Sequence, residues 1–525
     1  MNVPFSSPLY DGLESCKGTG RAIMVFTSFH YLVFFPMVAV TFFAIPKRYK
    51  NLLLLTASYY FYMSWVPQYA ILIAFSTIST YYAGYLIEKS RNARFRRVAL
   101  GVNIFINLAI LFVFKYYDFF VQTIGDLAQT IGVTVAFPVS TLLLPVGISF
   151  YTFQSLGYSI DVYRRDLQHE ESFVNYALFV SFFPQLVAGP IERAMNILPQ
   201  FHRFAKFEYD RVVSGMRVIL VGIFKKIAVA DLVAPYVDIV YGDVSRFGGI
   251  TFIVATILFS IQIYCDFSAY SDIAAGSARV LGYELMGNFN SPYFATSIGD
   301  FWSRWHISLS TWFRDYFYIP LGGNRRGWFR RHVNLFLTFV VSGLWHGANL
   351  TFIVWGALHG LYRIVELLLG KLRIDVFSLK EKRPVWLVLT RLALVNLLVL
   401  FAWIFFRAEN VGDSIEVVRK VFTDFDPKRF GIESRDIVDK FLGVSEGTVR
   451  RFTFILYALL PLILFVFEAL RNVRTKTFDS NAFISGLSLV KRWGIYIVGT
   501  LLIGFLYLFE NGIFGQTGQF IYFQF

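Results

Sequence analysis

His346 stands out as the residue of this chain best suited to chemistry. It follows the apolar run Val333–Val341 in Ser342-Gly343-Leu344-Trp345-His346-Gly347-Ala348-Asn349, and apolar residues resume directly afterwards. An ionisable side chain inside such a stretch is costly to keep and marks a functional site. Imidazole titrates near neutrality, so it can take a proton from a hydroxyl, and burial favours the neutral ring that a base requires. The glycines at 343 and 347 permit close backbone approach or a kink. The competing reading is a buried histidine that bridges two helices. Of the other six histidines, His169 and His202 sit in polar loops, and His332 adjoins Arg330 and Arg331. His30 and His359 are single residues in apolar segments, read as satisfied by a backbone carbonyl.

The sixth, His306, belongs to a stretch whose composition departs from its surroundings. Between 264 and 331, charges alternate with tryptophans and tyrosines, as in Asp300-Phe301-Trp302-Ser303-Arg304-Trp305-His306. The spacing predicts one helix over 300–317, with Asp300 as its N-cap and Pro320 as its stop. Trp302, Trp305, Leu309, Trp312, Phe313 and Tyr316 share one arc, Arg304, Ser308, Thr311 and Asp315 lie opposite, and His306, Ser303, Ser310 and Arg314 fall between. Such a helix either lies at the membrane interface or lines a hydrated cavity. Asp266, Asp272, Arg304, Arg314 and Asp315 read as a buried ion-pair network that shapes the cavity.

Other chemistries lack their motifs. The chain has no phosphate-binding G-x-x-x-x-G-K-[ST] loop, no G-x-S-x-G elbow and no H-E-x-x-H pair. Its two cysteines, Cys16 and Cys265, lie on either side of several apolar runs, which argues against a disulfide, and no metal-ligand spacing is present.

The elements that must hold these residues are membrane helices. Of 525 residues, 56% are hydrophobic and only 16% are charged, with a mean hydropathy of +0.54. A soluble fold of this size would need a polar shell that these residues cannot supply, whereas lipid solvates apolar surface directly. The net charge of +14 is confined to short gaps such as Lys47–Lys50, Arg91–Arg97 and Arg325–Arg331. This is the pattern of cytoplasmic loops and does not call for nucleic acid as a partner. Membrane lipids are the expected surroundings. Thirteen apolar segments (24–45, 51–65, 68–87, 98–122, 141–160, 173–188, 211–234, 248–266, 333–345, 349–370, 386–406, 452–470 and 492–510) give about 11 spans, the short ones being re-entrant or tilted. Lys47–Lys50 and Arg91–Arg97 flank a helical hairpin and place its Val66-Pro67 tip outside, together with the N-terminus. The polar stretch 407–451 has the length of a small helical hairpin. No cleavable signal peptide is evident. Residues 1–23 read as a short tail that precedes a native start at Met24 or belongs to the chain, and 24–525 as a single membrane domain.

Several ordered blocks then resemble one family. They are Asn51–Tyr62, Leu144–Tyr163, Phe182–Arg193, Gln262–Asp272, Asp300–Arg325, Ser342–Asn349 and Phe401–Ala408. Together they look like a membrane-bound O-acyltransferase (MBOAT) of the AlgI-type branch that O-acetylates alginate and other polysaccharides. The resemblance implies an all-α polytopic fold with helices ringed around a central funnel, in the bacterial cytoplasmic (inner) membrane. It implies that His346 is the catalytic histidine and His306 the second, more variable one. Asn349, Ser310, Arg314, Trp345 and Asp315 would line the cavity, with Asn349, His306 or a backbone amide stabilising an oxyanion. Arg325 and Arg326 would attract the phosphates of coenzyme A, or else anchor the chain at the cytoplasmic face. The implied donor is acetyl-CoA, with no metal. The implied acceptor is an exported polysaccharide, reached through an extracytoplasmic SGNH-type partner of the AlgX or AlgJ kind. Two alternatives stay open: a D-alanyl transferase of the teichoic-acid type, and a transporter for lipid-linked sugar with His346 gating its path.

Overall fold

Backbone groups that face lipid find no water, so a membrane chain must satisfy them internally. In the computed structural model, which describes residues 24–133, 138, 143–371, 384–442, 447–473 and 486–514, every regular element is a helix. Five stretches are long and apolar enough to cross a bilayer on that basis alone: Pro67–Lys89, Ala93–Thr130, Gly249–Leu281, Leu350–Gly370 and Val385–Arg407. The expected count of about 11 spans is not established by this measure. Phe29–Ala44 and Phe454–Val466 are apolar but shorter. The chain divides into two compact units that alternate along the sequence.

The first unit comprises residues up to Ile219 and Tyr270–Gly287. It contains α1 (Phe29–Ala44), α2 (Lys47–Met63), α3 (Ala70–Lys89), α4 (Ala93–Leu111), α5 (Tyr117–Thr130), α6 (Ile148–Arg164), α7 (Phe173–Ser181) and α8 (Ala194–Phe201). The hairpin expected between the two basic clusters is α2 and α3, with Pro67 opening its turn. Amides join its helices across an otherwise apolar interior. Ser76 Oγ donates to Asn107 Oδ1 at 2.6 Å, Asn103 Nδ2 to Ser159 Oγ at 2.8 Å, and Asn51 Nδ2 to both Asn175 Oδ1 and the Phe201 carbonyl at 2.8 Å. Each such bond contributes roughly 1 kcal/mol, and more is lost when one partner is left alone.

The second unit comprises Leu220–Ala269 and Asn288–Ile521. Two helices, α9 (Tyr209–Phe224) and α11 (Gly249–Leu281), run through the division, with α10 (Leu232–Tyr241) between them. Then come α12 (Ile298–Arg304), α13 (Ile307–Phe313), α14 (Trp328–His346), α15 (Leu350–Lys371), α16 (Val385–Arg407), α17 (Val411–Thr423), α18 (Pro427–Leu442), α19 (Gly447–Val473) and α20 (Leu489–Phe514). The polar stretch 407–451 contains two helices, α17 and α18. It is fixed to the corner that opens α11 by charge. Lys420 Nζ donates to the carbonyls of Val244, Ser245 and Phe247 at 2.7–2.9 Å, and Glu433 accepts from Gly248 N, Thr251 Oγ1 and Arg429 Nε.

Two expectations are corrected here. Residues 300–317 do not form one helix. Ser297, not Asp300, caps α12; the chain breaks at His306, whose φ of +43° is left-handed; and α13 runs into a π-helical turn over Arg314–Tyr318. Nor does its aromatic arc lie open: Trp305, His306, Ser308 and Trp312 are all buried within the protein.

The ion pairs also take a different form. Arg304 pairs with Asp300 and Arg314 with its neighbour Asp315. Asp266 meets Lys226, which also meets Asp231, both at 2.7 Å. Lys226 and Asp231 belong to a second π-helical stretch, Lys225–Asp231, in a segment that hydropathy marks only as apolar.

Candidate active site

Glycine spacing brings α14 and α15 into backbone contact. A methyl group at Gly343 would collide with the Phe352 carbonyl, and one at Gly356 with the Phe339 carbonyl. The two helices therefore pack closely, and His346, the last residue of α14, is set against the buried face of α15. It is 4% exposed. Trp345, Trp355 and Phe406 surround its ring at 5.1, 5.2 and 5.4 Å, each steeply inclined to it.

His306 faces this box. Its ring centroid lies 6.3 Å from that of His346 and 5.9 Å from that of Trp345, and the edge of Phe267 packs on it at 4.6 Å. One proton on the His306 ring can be located from its neighbours. Asn288 Oδ1 accepts from the Ser308 amide at 3.2 Å and from Ser308 Oγ at 2.8 Å, and it lies 3.2 Å from His306 Nδ1. An amide N–H can only donate, so this atom of Asn288 is the oxygen and Nδ1 carries hydrogen. In the neutral ring Nε2 then holds the lone pair. The left-handed backbone at His306 turns the side chain to this position, a conformation that costs a non-glycine residue about 1 kcal/mol or more. Two imidazoles within one apolar box, one with its tautomer fixed, can take a hydroxyl proton and hold it next to a reacting centre.

The remaining predicted residues have these places. Trp345 is in the box. Ser310 is half-buried and donates to the Trp305 carbonyl at 3.3 Å. Asn349 ties the turn after α14 in place, donating to the Glu409 carbonyl at 2.7 Å and accepting from Thr351 N at 3.0 Å. Arg314 and Asp315 pair with each other at 2.7 Å on the turn after α13. Arg325 and Arg326 are exposed in the loop before α14, where Gly322, Gly323 and Gly327 have positive φ. Asn334 Nδ2 holds that loop by donating to the Leu321 and Gly323 carbonyls. Cys265 is buried, and Cys16 lies outside the described residues. Among the described residues no group of histidine, cysteine or carboxylate side chains is arranged for a metal. Sequence reasoning passes over Asn288, which has no motif, and Trp355, which reads as one more apolar helix residue, and it gives Ser308 a helix face but no role.

Comparisons with known proteins identify the family of the chain. A model of the membrane-bound O-acyltransferase family matches residues 164–399. The chain is 42% identical over 406 residues to a protein of Azotobacter vinelandii named probable alginate O-acetylase AlgI, covering 76% of this chain and 78% of that one. It is 33% identical over 427 residues to the peptidoglycan O-acetyltransferase of Helicobacter pylori, covering 75% and 78%. Similarity to the teichoic acid D-alanyltransferase of Bacillus subtilis is lower, at 27% over 234 residues, covering 42% and 58%. Extended similarity across most of both chains, a family match that includes both histidines, and apolar helices around them lead to one identification: the chain is a multi-pass membrane enzyme of the membrane-bound O-acyltransferase family, an O-acyltransferase.

Proposed function

We propose that this enzyme moves an acetyl group from cytoplasmic acetyl-CoA across the bacterial inner membrane, for O-acetylation of an exported or cell-wall polysaccharide. The observation that carries the reading is His346, held at the end of α14 in an aromatic box that His306 completes. The names of the relatives, an alginate O-acetylase and a peptidoglycan O-acetyltransferase, support the acetyl group and the polysaccharide. The higher identity to them favours acetyl over D-alanyl.

A thioester is already activated, so transfer needs a base and an oxyanion stabiliser. His346 takes the proton from the acceptor hydroxyl as its oxygen attacks the acyl carbon. The C–S bond breaks, the coenzyme leaves as thiolate, and the proton on His346 passes to that sulfur. His306 assists as a fixed lone-pair acceptor beside it. Arg325 and Arg326 contact the phosphates of the coenzyme at the cytoplasmic face. The hydroxyl belongs to the polymer or to an extracytoplasmic SGNH-type relay protein.

The test uses purified protein in detergent with acetyl-labelled coenzyme A, with and without the envelope partner, comparing wild type with His346→Ala. Label released or transferred by wild type and not by the variant is the expected result. A variant as active as wild type would make His346 structural. If neither protein processes acetyl-CoA although both bind it, the donor assignment fails, and a carrier-bound D-alanyl thioester becomes the substrate to try.

A further inference from the structure

Three buried polar atoms lie along one face of α15. Thr351, Trp355 and His359 are spaced at i, i+4 and i+8 and are 1%, 0% and 0% exposed. Thr351 Oγ1, Trp355 Nε1 and His359 Nε2 have no hydrogen-bond partner among the described residues. The expectation that a backbone carbonyl satisfies His359 is therefore not met. Instead its Nδ1 lies 3.3 Å from Trp302 Nε1. An indole N–H can only donate, so Nδ1 accepts and the neutral ring carries its hydrogen on Nε2. Trp355 and His359 thus each direct an N–H into the interior, and Thr351 adds a hydroxyl.

Buried polar groups are nearly always paired, and each unpaired one costs about 1–3 kcal/mol. Three on one face, beside the reacting histidine, call for an explanation. Trp355 touches His346 on one side, with ring centroids at 5.2 Å, and His359 on the other at 4.9 Å. Four helical residues advance about 6 Å along the axis, so the three groups form a line past His346.

We infer that Trp355 and His359 are the hydrogen-bond donors for the carbonyl oxygens of a pantetheine thioester, and that Thr351 serves the incoming hydroxyl. This rests on the acyltransferase reading above. A pantetheine arm offers acceptors at a matching interval. Its thioester carbonyl and its nearest amide carbonyl are separated by a cysteamine unit, roughly 6 Å when extended. With the arginine-rich loop before α14 on the cytoplasmic side, His359 lies on the side from which the arm enters and Thr351 on the outward side. The thioester carbonyl then falls at Trp355, next to His346, where its oxygen becomes an anion as the hydroxyl oxygen adds. The N–H of Trp355 stabilises that charge, and the N–H of His359 holds the arm. Coenzyme A and an acyl-carrier protein present the same arm.

The test compares wild type with Trp355→Phe, Thr351→Val, His359→Leu and His359→Gln, measuring kcat, KM for donor and melting temperature. Acetyl-CoA and an acetylated carrier protein are the donors, and S-ethyl-CoA, which lacks the carbonyl, is the binding control. Loss of one oxyanion donor typically costs about 100-fold in kcat, the result expected for Trp355→Phe. Loss of one neutral hydrogen bond is about threefold to tenfold, expected for His359→Leu as a rise in KM. His359→Gln, which keeps an N–H near the Nε2 position, recovers most of that loss. Thr351→Val lowers transfer to the acceptor. Melting temperatures stay level or rise for Trp355→Phe and Thr351→Val, where an unpaired buried group has been removed; His359→Leu also takes the acceptor from Trp302 Nε1, so its loss of activity counts only as far as it exceeds that of His359→Gln at matched melting temperature. Wild type binds acetyl-CoA more tightly than S-ethyl-CoA, and Trp355→Phe abolishes the difference. Whichever donor wild type turns over identifies the source of the arm. Variants as active as an active wild type would overturn the inference, as would activity lost only in step with melting temperature. A wild type that turns over neither donor would sink the acyltransferase reading instead.

Discussion

At the scale of single residues, the site depends on fixed protons. Asn288 holds hydrogen on His306 Nδ1, and Trp302 fixes the opposite tautomer on His359. His346→Ala should lower turnover by about 10²–10⁴-fold, the usual worth of a positioned base, without lowering the melting temperature of the detergent-solubilised enzyme. Asn288→Leu removes the acceptor shared by His306 and Ser308, so it should reduce kcat by more than it changes KM for the donor. Equal effects on both would argue that Asn288 only supports folding. Lys226→Met would leave two buried carboxylates without their ammonium and should destabilise the protein by about 3–5 kcal/mol, measured by chemical denaturation in detergent. Adding Asp231→Asn and Asp266→Asn to the same chain should recover much of that loss. His346 is legible in the sequence because a lone imidazole between apolar runs is anomalous by itself. Asn288 is not, because a loop asparagine 18 residues before His306 carries no sign of what it will face.

At the scale of elements, helix positions are legible and helix interruptions are not. Hydropathy locates α15 and α16 closely, because a spanning helix must be a continuous apolar run. The aromatic period continues through His306 and makes 300–317 read as unbroken; only the tertiary bonds to Asn288 explain the left-handed turn there. The π-helical turns escape too, each a single extra residue in a helix with no composition of its own. The contact between α14 and α15 depends on glycine. Gly343→Ala should push the helices apart, lower the melting temperature and reduce activity by more than tenfold, whereas alanine at Gly370, which meets nothing within 4 Å, should be silent in both assays. A Gly343→Ala enzyme with normal kcat would show that the close approach does not position His346.

At the scale of the whole molecule, composition alone points to a membrane protein, and ordered blocks point to its family. The number of spans is harder to read, because short helices buried against one another need not be long or uniformly apolar. Orientation can be measured directly. In a Cys16→Ser background, a cysteine at Gln68 should react with an impermeant maleimide added to intact cells, and one at Arg94 should react only after lysis. The reverse pattern would invert the proposed direction of acyl movement.

The alternation of the two units along the chain bears on how the protein is made. The residues up to 219 share their unit with 270–287, and 220–269 share theirs with 288–521. During translation, neither unit can close before the ribosome has passed the end of α11, so the early helices wait in the bilayer with buried polar groups such as the Tyr31 hydroxyl, which meets Ser277 Oγ at 2.8 Å, still unmatched. A chain stalled near residue 250 would be a substrate for membrane chaperones and quality-control proteases, and the gene could not be divided at that point into two separately folding halves.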